Sequence, residues 1–89
     1  MVEQEITICN KLGLHARASA KLVQLTSQFA ANVFLQFRGR EINAKSIMGL
    51  MLLAAGKGST LVVKVDGADE HQALAAVIDL FQRKFDEGE

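Results

Sequence analysis

The stretch Asn10-Lys11-Leu12-Gly13-Leu14-His15-Ala16-Arg17 decides how the first part of the chain folds. It separates a segment with strand periodicity from one with helix periodicity. Before it, Ile6 and Ile8 alternate with polar neighbours, which predicts a strand over about residues 3–8. After it, apolar residues recur at helical spacing from Ala16 to about residue 28. His15 is therefore expected at the boundary between a loop and the first helix.

The rest of the chain continues to alternate between strand and helix patterns. Apolar residues at every second position predict a strand over residues 33–37, which a short strand over 40–43 can meet as a hairpin. Ser46 opens a short helix to about Leu53, which Gly56 or Gly58 can end. Residues 61–65 alternate as a fourth strand. The predicted order so far is β-α-β-β-α-β.

A last helix completes the order as β-α-β-β-α-β-α. Asp69 can cap it, and Arg83 and Lys84 lie near its end. Its apolar stripe consists of Leu74, Val77, Ile78, Phe81 and Phe85. No linker or internal repeat interrupts the chain, so residues 1–89 are predicted to form a single domain.

Composition excludes several classes of function. Ten basic and ten acidic residues give a formal net charge of zero, and the chain has neither tyrosine nor tryptophan, so an RNA-binding domain is not favoured. One cysteine and two distant histidines make no metal cluster. We read Cys9 as a strand residue and assign no role to His71. The first residues lack a signal-peptide pattern and no stretch is long enough to span a membrane, so a cytoplasmic location and no membrane insertion are expected.

The start of the first helix has the properties of a phosphate site. Backbone N–H groups in the first turn have no intrahelical partner, and the helix dipole adds partial positive charge. The amides of Ala16, Arg17 and Ala18 are the nearest donors. The Arg17 guanidinium is expected to neutralise the phosphate, and Lys11 and Lys21 add positive charge close by. Acidic residues lie elsewhere, among them residues 86, 87 and 89 of the tail. A neutral imidazole is a nucleophile, so His15 is the candidate phosphoryl acceptor.

Residues 10–17, together with Lys45-Ser46-Ile47-Met48-Gly49-Leu50, resemble the HPr family of phosphocarriers of the phosphoenolpyruvate-dependent phosphotransferase system. The resemblance implies an α+β open-faced sandwich, with a four-stranded antiparallel sheet and three helices on one face. It also implies that Nδ1 of His15 receives a phosphoryl group from phosphorylated Enzyme I and passes it to an Enzyme IIA domain. Such a carrier is not itself an enzyme and needs no cofactor. One departure is Ala18, where the family usually has proline.

Ser46 and the second helix have both ordinary and functional interpretations. Serine at a helix start is a common cap, whereas the resemblance implies a regulatory phosphorylation site for an HPr kinase/phosphorylase. Ile47, Leu50, Met51 and Ala54 can serve the core or its margin. The second helix has too many apolar residues for one buried face, so a docking surface for partner proteins is expected. Its candidate residues are Ala16, Ala20, Ile47, Met48, Met51 and Leu52.

A second class of function stays open beside the phosphocarrier. In a regulatory binding protein similar to the nitrogen-related paralogue NPr, phosphorylation of His15 or Ser46 would mainly select protein partners. The apolar second helix fits both functions. A protein that offers one face to successive partners is expected to be a monomer.

Overall fold

A computed structural model describes residues 1–86 of the 89-residue chain. Residues 87–89 of the predicted acidic tail lie outside the described residues. The predicted order of strands and helices is confirmed. The elements are β1 (Val2–Thr7), α1 (Ala16–Thr26), β2 (Asn32–Phe37), β3 (Arg40–Asn43), α2 (Ile47–Leu52), β4 (Thr60–Asp66) and α3 (Glu70–Gln82), followed by a short C-terminal turn (Lys84–Asp86).

The four strands form one antiparallel sheet in the order β1-β4-β2-β3. The hairpin of β2 and β3 follows directly from the sequence. The central place of β4 does not follow from the sequence. This strand pairs with β1, where Ile6 lies opposite Leu61, and with β2, where Leu35 lies opposite Val63. These pairings bring the N-terminal half and the C-terminal half of the chain into one sheet.

The hydrophobic core lies between one face of the sheet and the helices. In β4, Leu61, Val63 and Val65 are fully buried, whereas Val62 and Lys64 between them are partly exposed. Strand residues alternate between the two faces of a sheet, so one face contacts the helices and the other remains open. The predicted open-faced α+β architecture is confirmed.

Helix α3 differs from its prediction at both ends. The Asp69 side chain does not cap it, because its carboxylate instead accepts the backbone N–H groups of Ala30 and Ala31 at 2.9 and 2.8 Å. The helix ends at Gln82 rather than continuing through Phe85. Phe85 belongs to the C-terminal turn with φ 55°, yet it is fully buried. The apolar spacing was therefore correct about burial and wrong about helix length.

Smaller corrections concern the ends of β1, α1 and α2. Cys9 is an exposed loop residue and not a strand residue, because the pairing of β1 with β4 ends at Thr7. Helix α1 ends at Thr26, two residues before its expected end, which is within ordinary boundary uncertainty. Helix α2 ends at Leu52, and the left-handed residue that follows it is Ala54 with φ 53°, not a glycine.

Candidate functional site

The loop before α1 fixes the position of His15. Gly13 adopts φ 65°, and a Cβ at this position would collide with the backbone carbonyl of Ala55. The N–H of Leu14 donates to that same carbonyl at 3.0 Å, and the buried Asn10 side-chain amide donates to the Gly13 carbonyl at 2.8 Å. Because Gly13 has no Cβ, the loop before α1 can approach the backbone that follows α2 closely enough to form this hydrogen bond.

His15 is the N-cap residue of α1. Its backbone is extended, with φ −77° and ψ −179°, and its carbonyl accepts the N–H of Ser19 at 2.9 Å. The ring nitrogen Nδ1 accepts the backbone N–H of Arg17 at 3.3 Å. This contact requires an unprotonated Nδ1, so the neutral ring carries its proton on Nε2. The imidazole thus takes the capping role that serine or aspartate more often fills.

An open cleft of about 700 Å³ lies beside the imidazole. Three cationic side chains and one carboxylate line it, so it has an excess of positive charge and suits an anion. Residues of α1 contribute one wall, and the C-terminal turn contributes another. The lining residues are Lys11, Leu12, His15, Ala16, Arg17, Lys21 and Asp86.

The structure brings together some of the predicted phosphate ligands. His15, Ala16 and Arg17 line the cleft, whereas the Ala18 side chain is fully buried in the core. The backbone N–H of Ala18 belongs to the first turn of α1 and remains a candidate donor. The predicted phosphate site therefore corresponds to a helix start with an adjoining cationic cleft.

Four apolar side chains of α2 are exposed. Met48 and Leu52 are 73% and 67% exposed, and Ile47 and Met51 are 41% and 46% exposed. Of the residues expected to serve the core or its margin, Leu50 is fully buried, whereas Ile47, Met51 and Ala54 are exposed and do not belong to the core.

These α2 side chains do not line the cleft. Helix α2 packs against α1, and of the predicted docking residues on α1, Ala16 lines the cleft and Ala20 is partly buried. An apolar surface of Ile47, Met48, Met51 and Leu52, here called the α2 surface, therefore lies on the helix next to the one that carries His15.

Ser46 caps α2. Its Oγ accepts the N–H of Gly49 at 3.1 Å, and the side chain is partly exposed. The ordinary reading of this serine as a helix cap is confirmed. Its hydroxyl lies at the N-terminal end of the α2 surface, beside Ile47.

Sequence reasoning assigned no site role to four residues of the cleft. Lys11 and Lys21 were recognised only as nearby charges, although Lys21 follows Arg17 by four positions and so shares its helix face. Leu12 carried no signal beyond its place in the loop. The expectation that acidic residue 86 lies away from the site is wrong, because the tertiary fold brings Asp86 to the cleft although it is far from His15 along the chain.

Two other kinds of site are absent from the described part of the chain. Within residues 1–86, no group of three or more histidine, cysteine, aspartate or glutamate side chains is arranged to hold a metal ion. No helix in this described part of the chain is long and apolar enough to cross a membrane.

Comparison with known proteins gives one consistent result. Residues 2–83 match the family described as "PTS HPr component phosphorylation site". The phosphocarrier protein HPr of Xylella fastidiosa Temecula1 is 58% identical over 87 residues, covering 98% of each chain. That of Cupriavidus necator H16 is 53% identical over 89 residues, covering all of both chains. The crystal structure of HPr-C-His from Thermoanaerobacter tengcongensis superposes with a TM-score of 0.95 at 41% identity, covering 98% of each chain. The chain therefore belongs to the HPr family, the phosphocarrier proteins of the phosphoenolpyruvate-dependent phosphotransferase system.

Proposed function

We propose that Nδ1 of His15 accepts a phosphoryl group from phosphorylated Enzyme I and passes it to an Enzyme IIA domain. The observation that carries this proposal is the 3.3 Å contact from the Arg17 N–H to Nδ1. This contact directs the Nδ1 electron pair toward the start of α1, which supports Nδ1 as the acceptor atom. The exchange is expected in the cytoplasm, where phosphoenolpyruvate is available.

In the transfer step, one bond to phosphorus forms as another breaks. The Nδ1 electron pair forms the new N–P bond, while the bond from phosphorus to the donor breaks and its electron pair returns to the donor atom. Nε2 keeps its proton, so the phosphorylated ring is cationic. In the onward transfer the ring leaves as a neutral imidazole, which is a good leaving group. The chain is then restored, so it acts as a protein substrate of its partners.

The helix start offers donors to the new phosphoryl oxygens. Once Nδ1 is bonded to phosphorus it no longer accepts the Arg17 N–H, and this donor becomes available to a phosphoryl oxygen. The amides of Ala16 and Ala18 belong to the same turn. The guanidinium of Arg17 lines the cleft and adds positive charge. Phosphoryl transfer depends mainly on positioning and charge stabilisation, so an exposed site is sufficient when a partner encloses it.

The α2 surface is the proposed docking site for both partners. Its two methionines can adapt to differently shaped apolar surfaces, because methionine is a flexible unbranched side chain. Together with Ala16 and Ala20 it would give each partner an apolar contact next to the reactive histidine. One such surface serves Enzyme I and Enzyme IIA in turn, which fits a monomeric carrier.

Ser46 is the proposed site of regulatory phosphorylation by an HPr kinase/phosphorylase. A phosphate on Oγ would add roughly two negative charges at the edge of the α2 surface. Negative charge at a helix N-terminus is tolerated by the domain itself, so the modification would oppose docking more than folding. If the chain instead acts as a regulatory binding protein, phosphorylation of His15 or Ser46 would mainly select its protein partners.

The direct test is incubation with phosphoenolpyruvate, Mg²⁺ and a catalytic amount of Enzyme I, followed by intact mass measurement. Wild type is expected to gain one acid-labile phosphate, and His15→Ala none. His71→Ala is the matched control, because His71 is an exposed histidine outside the cleft. Wild type that remains unmodified beside an active Enzyme I would overturn the proposal. Adding an Enzyme IIA domain then tests the onward transfer, since a carrier loses its phosphate to this domain.

A further inference from the structure

We propose that Lys21 is a second phosphate-binding cation of the cleft, held in place by the C-terminal turn. This inference rests on the proposed phosphorylation of His15 and adds a residue to that site. Lys21 follows Arg17 by four positions, so the two cations project from the same face of α1. Both line the cleft that contains His15. The position of Lys21 is therefore suited to a phosphate bound at the start of the helix.

The ammonium group of Lys21 is already oriented by one hydrogen bond. Its Nζ donates to the backbone carbonyl of Phe85 at 2.6 Å, and the side chain is partly buried. An ammonium group has three donors, so this contact uses one and leaves two for other acceptors. A flexible lysine that is held at one end loses less conformational freedom when it binds phosphate.

The carbonyl that holds Lys21 is itself firmly positioned. Phe85 is fully buried and packs edge-to-face against Phe81, with ring centroids 4.8 Å apart. Lys84, Phe85 and Asp86 have φ angles of 55°, 55° and 60°. This left-handed backbone conformation is unusual for residues other than glycine. The buried ring and the hydrogen bond from Lys21 accompany this strained turn and hold it against α1.

The same turn places a carboxylate in the cleft. Asp86 lines the cleft, and both of its oxygens accept hydrogen bonds from Arg83 at 2.7 and 2.8 Å. Its negative charge opposes a bound phosphate, whereas Lys21 favours it. The turn therefore positions one group that stabilises phosphorylated His15, the Lys21 ammonium, and one that destabilises it, the Asp86 carboxylate. The difference between these two effects determines how readily the phosphoryl group is transferred onward.

The test measures the equilibrium between the chain and phosphoenolpyruvate, catalysed by Enzyme I at a fixed ratio of phosphoenolpyruvate to pyruvate. An equilibrium position does not depend on how well Enzyme I docks, so defects in docking do not affect it. Lys21→Gln is expected to lower the equilibrium constant for phosphorylation about fivefold, as loss of a charge-assisted contact predicts. Lys21→Arg should remain near wild type, and Asp86→Asn should raise the constant.

Two matched controls isolate the cleft. Lys45 is also partly buried and donates its Nζ to a backbone carbonyl, that of Phe29 at 2.9 Å, but it does not line the cleft. Lys45→Gln should leave the constant unchanged. Asp79 bonds Arg83 at 2.8 Å as Asp86 does, yet lies outside the cleft, so Asp79→Asn controls for Asp86→Asn.

Salt dependence separates a charge effect from a structural one. The difference between wild type and Lys21→Gln should shrink at high ionic strength, because salt screens charges at an open cleft. Equal constants for wild type and Lys21→Gln, a shift as large in Lys45→Gln, or a difference that salt does not alter would each overturn the assignment of Lys21. Failure of wild type to accept any phosphate would instead overturn the proposed role of His15.

Discussion

The backbone N–H of Arg17 donates to Nδ1 of His15 across 3.3 Å, so the resting imidazole caps its own helix. A phosphoryl group on Nδ1 would take over this acceptor role with its oxygens. The N–H would then have an acceptor in both states, and the start of α1 would stay intact through a cycle of phosphorylation. Substitutions near His15 can therefore change phosphoryl transfer without disrupting the start of α1.

Replacement of Arg17 should weaken phosphoryl transfer without unfolding the domain. Its side chain is exposed and lines the cleft, so Arg17→Ala removes positive charge from the site and leaves the core unchanged. We expect a transfer rate from Enzyme I about tenfold lower, equivalent to about 1.4 kcal/mol. Arg17→Lys should recover part of this loss, because it restores charge but not the planar fork. Rapid-quench kinetics measure both variants, and an unchanged rate in Arg17→Ala would contradict its role.

Ala18→Pro tests the position where this chain departs from its family. Ala18 is the third residue of α1, where the N–H has no intrahelical acceptor and proline is tolerated. The substitution should stabilise the domain by about 0.4–1 kcal/mol, because proline lowers the conformational entropy of the unfolded chain. Thermal unfolding should show a Tm higher by about 2–8 °C. The variant also loses one N–H beside the phosphate, so its phosphohistidine should hydrolyse faster. An unchanged hydrolysis rate would show that the Ala18 amide is not a ligand.

Two substitutions at Ser46 separate its capping role from regulation. Ser46→Ala removes the acceptor for the Gly49 N–H and should cost about 1 kcal/mol of folding stability. Ser46→Asp keeps a capping oxygen and adds negative charge, so stability should be retained while KM for Enzyme I rises. Chemical denaturation and steady-state transfer assays measure these effects. Equal KM values for Ser46→Asp and wild type would contradict a regulatory effect of charge at this position.

Asp69 should make stability depend on pH in the acidic range. Hydrogen bonds from the N–H groups of Ala30 and Ala31 hold the pKa of the Asp69 carboxyl below its usual value of 3.8. A carboxyl whose pKa is lower in the folded state than in the unfolded state stabilises the fold at pH values above the unfolded-state pKa. This stabilisation is lost as the pH falls through the folded-state pKa. Asp69→Asn should therefore have a lower Tm than wild type at pH 7, and the gap should close below about pH 3.8. A gap that does not narrow as the pH is lowered below 3.8 would contradict this linkage.

The sequence predicted the elements of this fold more fully than their arrangement. Apolar alternation located residues 61–65 as a strand, because a half-buried strand repeats every two residues. The central place of β4 depends on long-range pairing such as Leu35 with Val63, and periodicity contains no information about partners. Periodicity also could not predict the role of Asp69. This residue has the type of a helix cap, but its carboxylate accepts the distant N–H groups of Ala30 and Ala31.

For the candidate site, the local part was predictable and the distant part was not. His15 and Arg17 are two residues apart, so a helix start alone brings them together. Lys21 was within reach of the same reasoning, since it lies one turn further along the helix. Asp86 reaches the cleft, and the Phe85 carbonyl reaches Lys21, only because the chain leaves α3 in a left-handed turn that the apolar spacing did not indicate.

The most direct test of the central claim is NMR of the phosphorylated, ¹⁵N-labelled chain. Coupling between phosphorus and a ring nitrogen identifies the phosphorylated atom, and the amide spectrum reports the Arg17 N–H. Our account predicts phosphorus on Nδ1 of His15, with a large shift of the Arg17 amide and little change in the core. Phosphorus on Nε2, or on Nδ1 with the Arg17 amide unmoved, would contradict it.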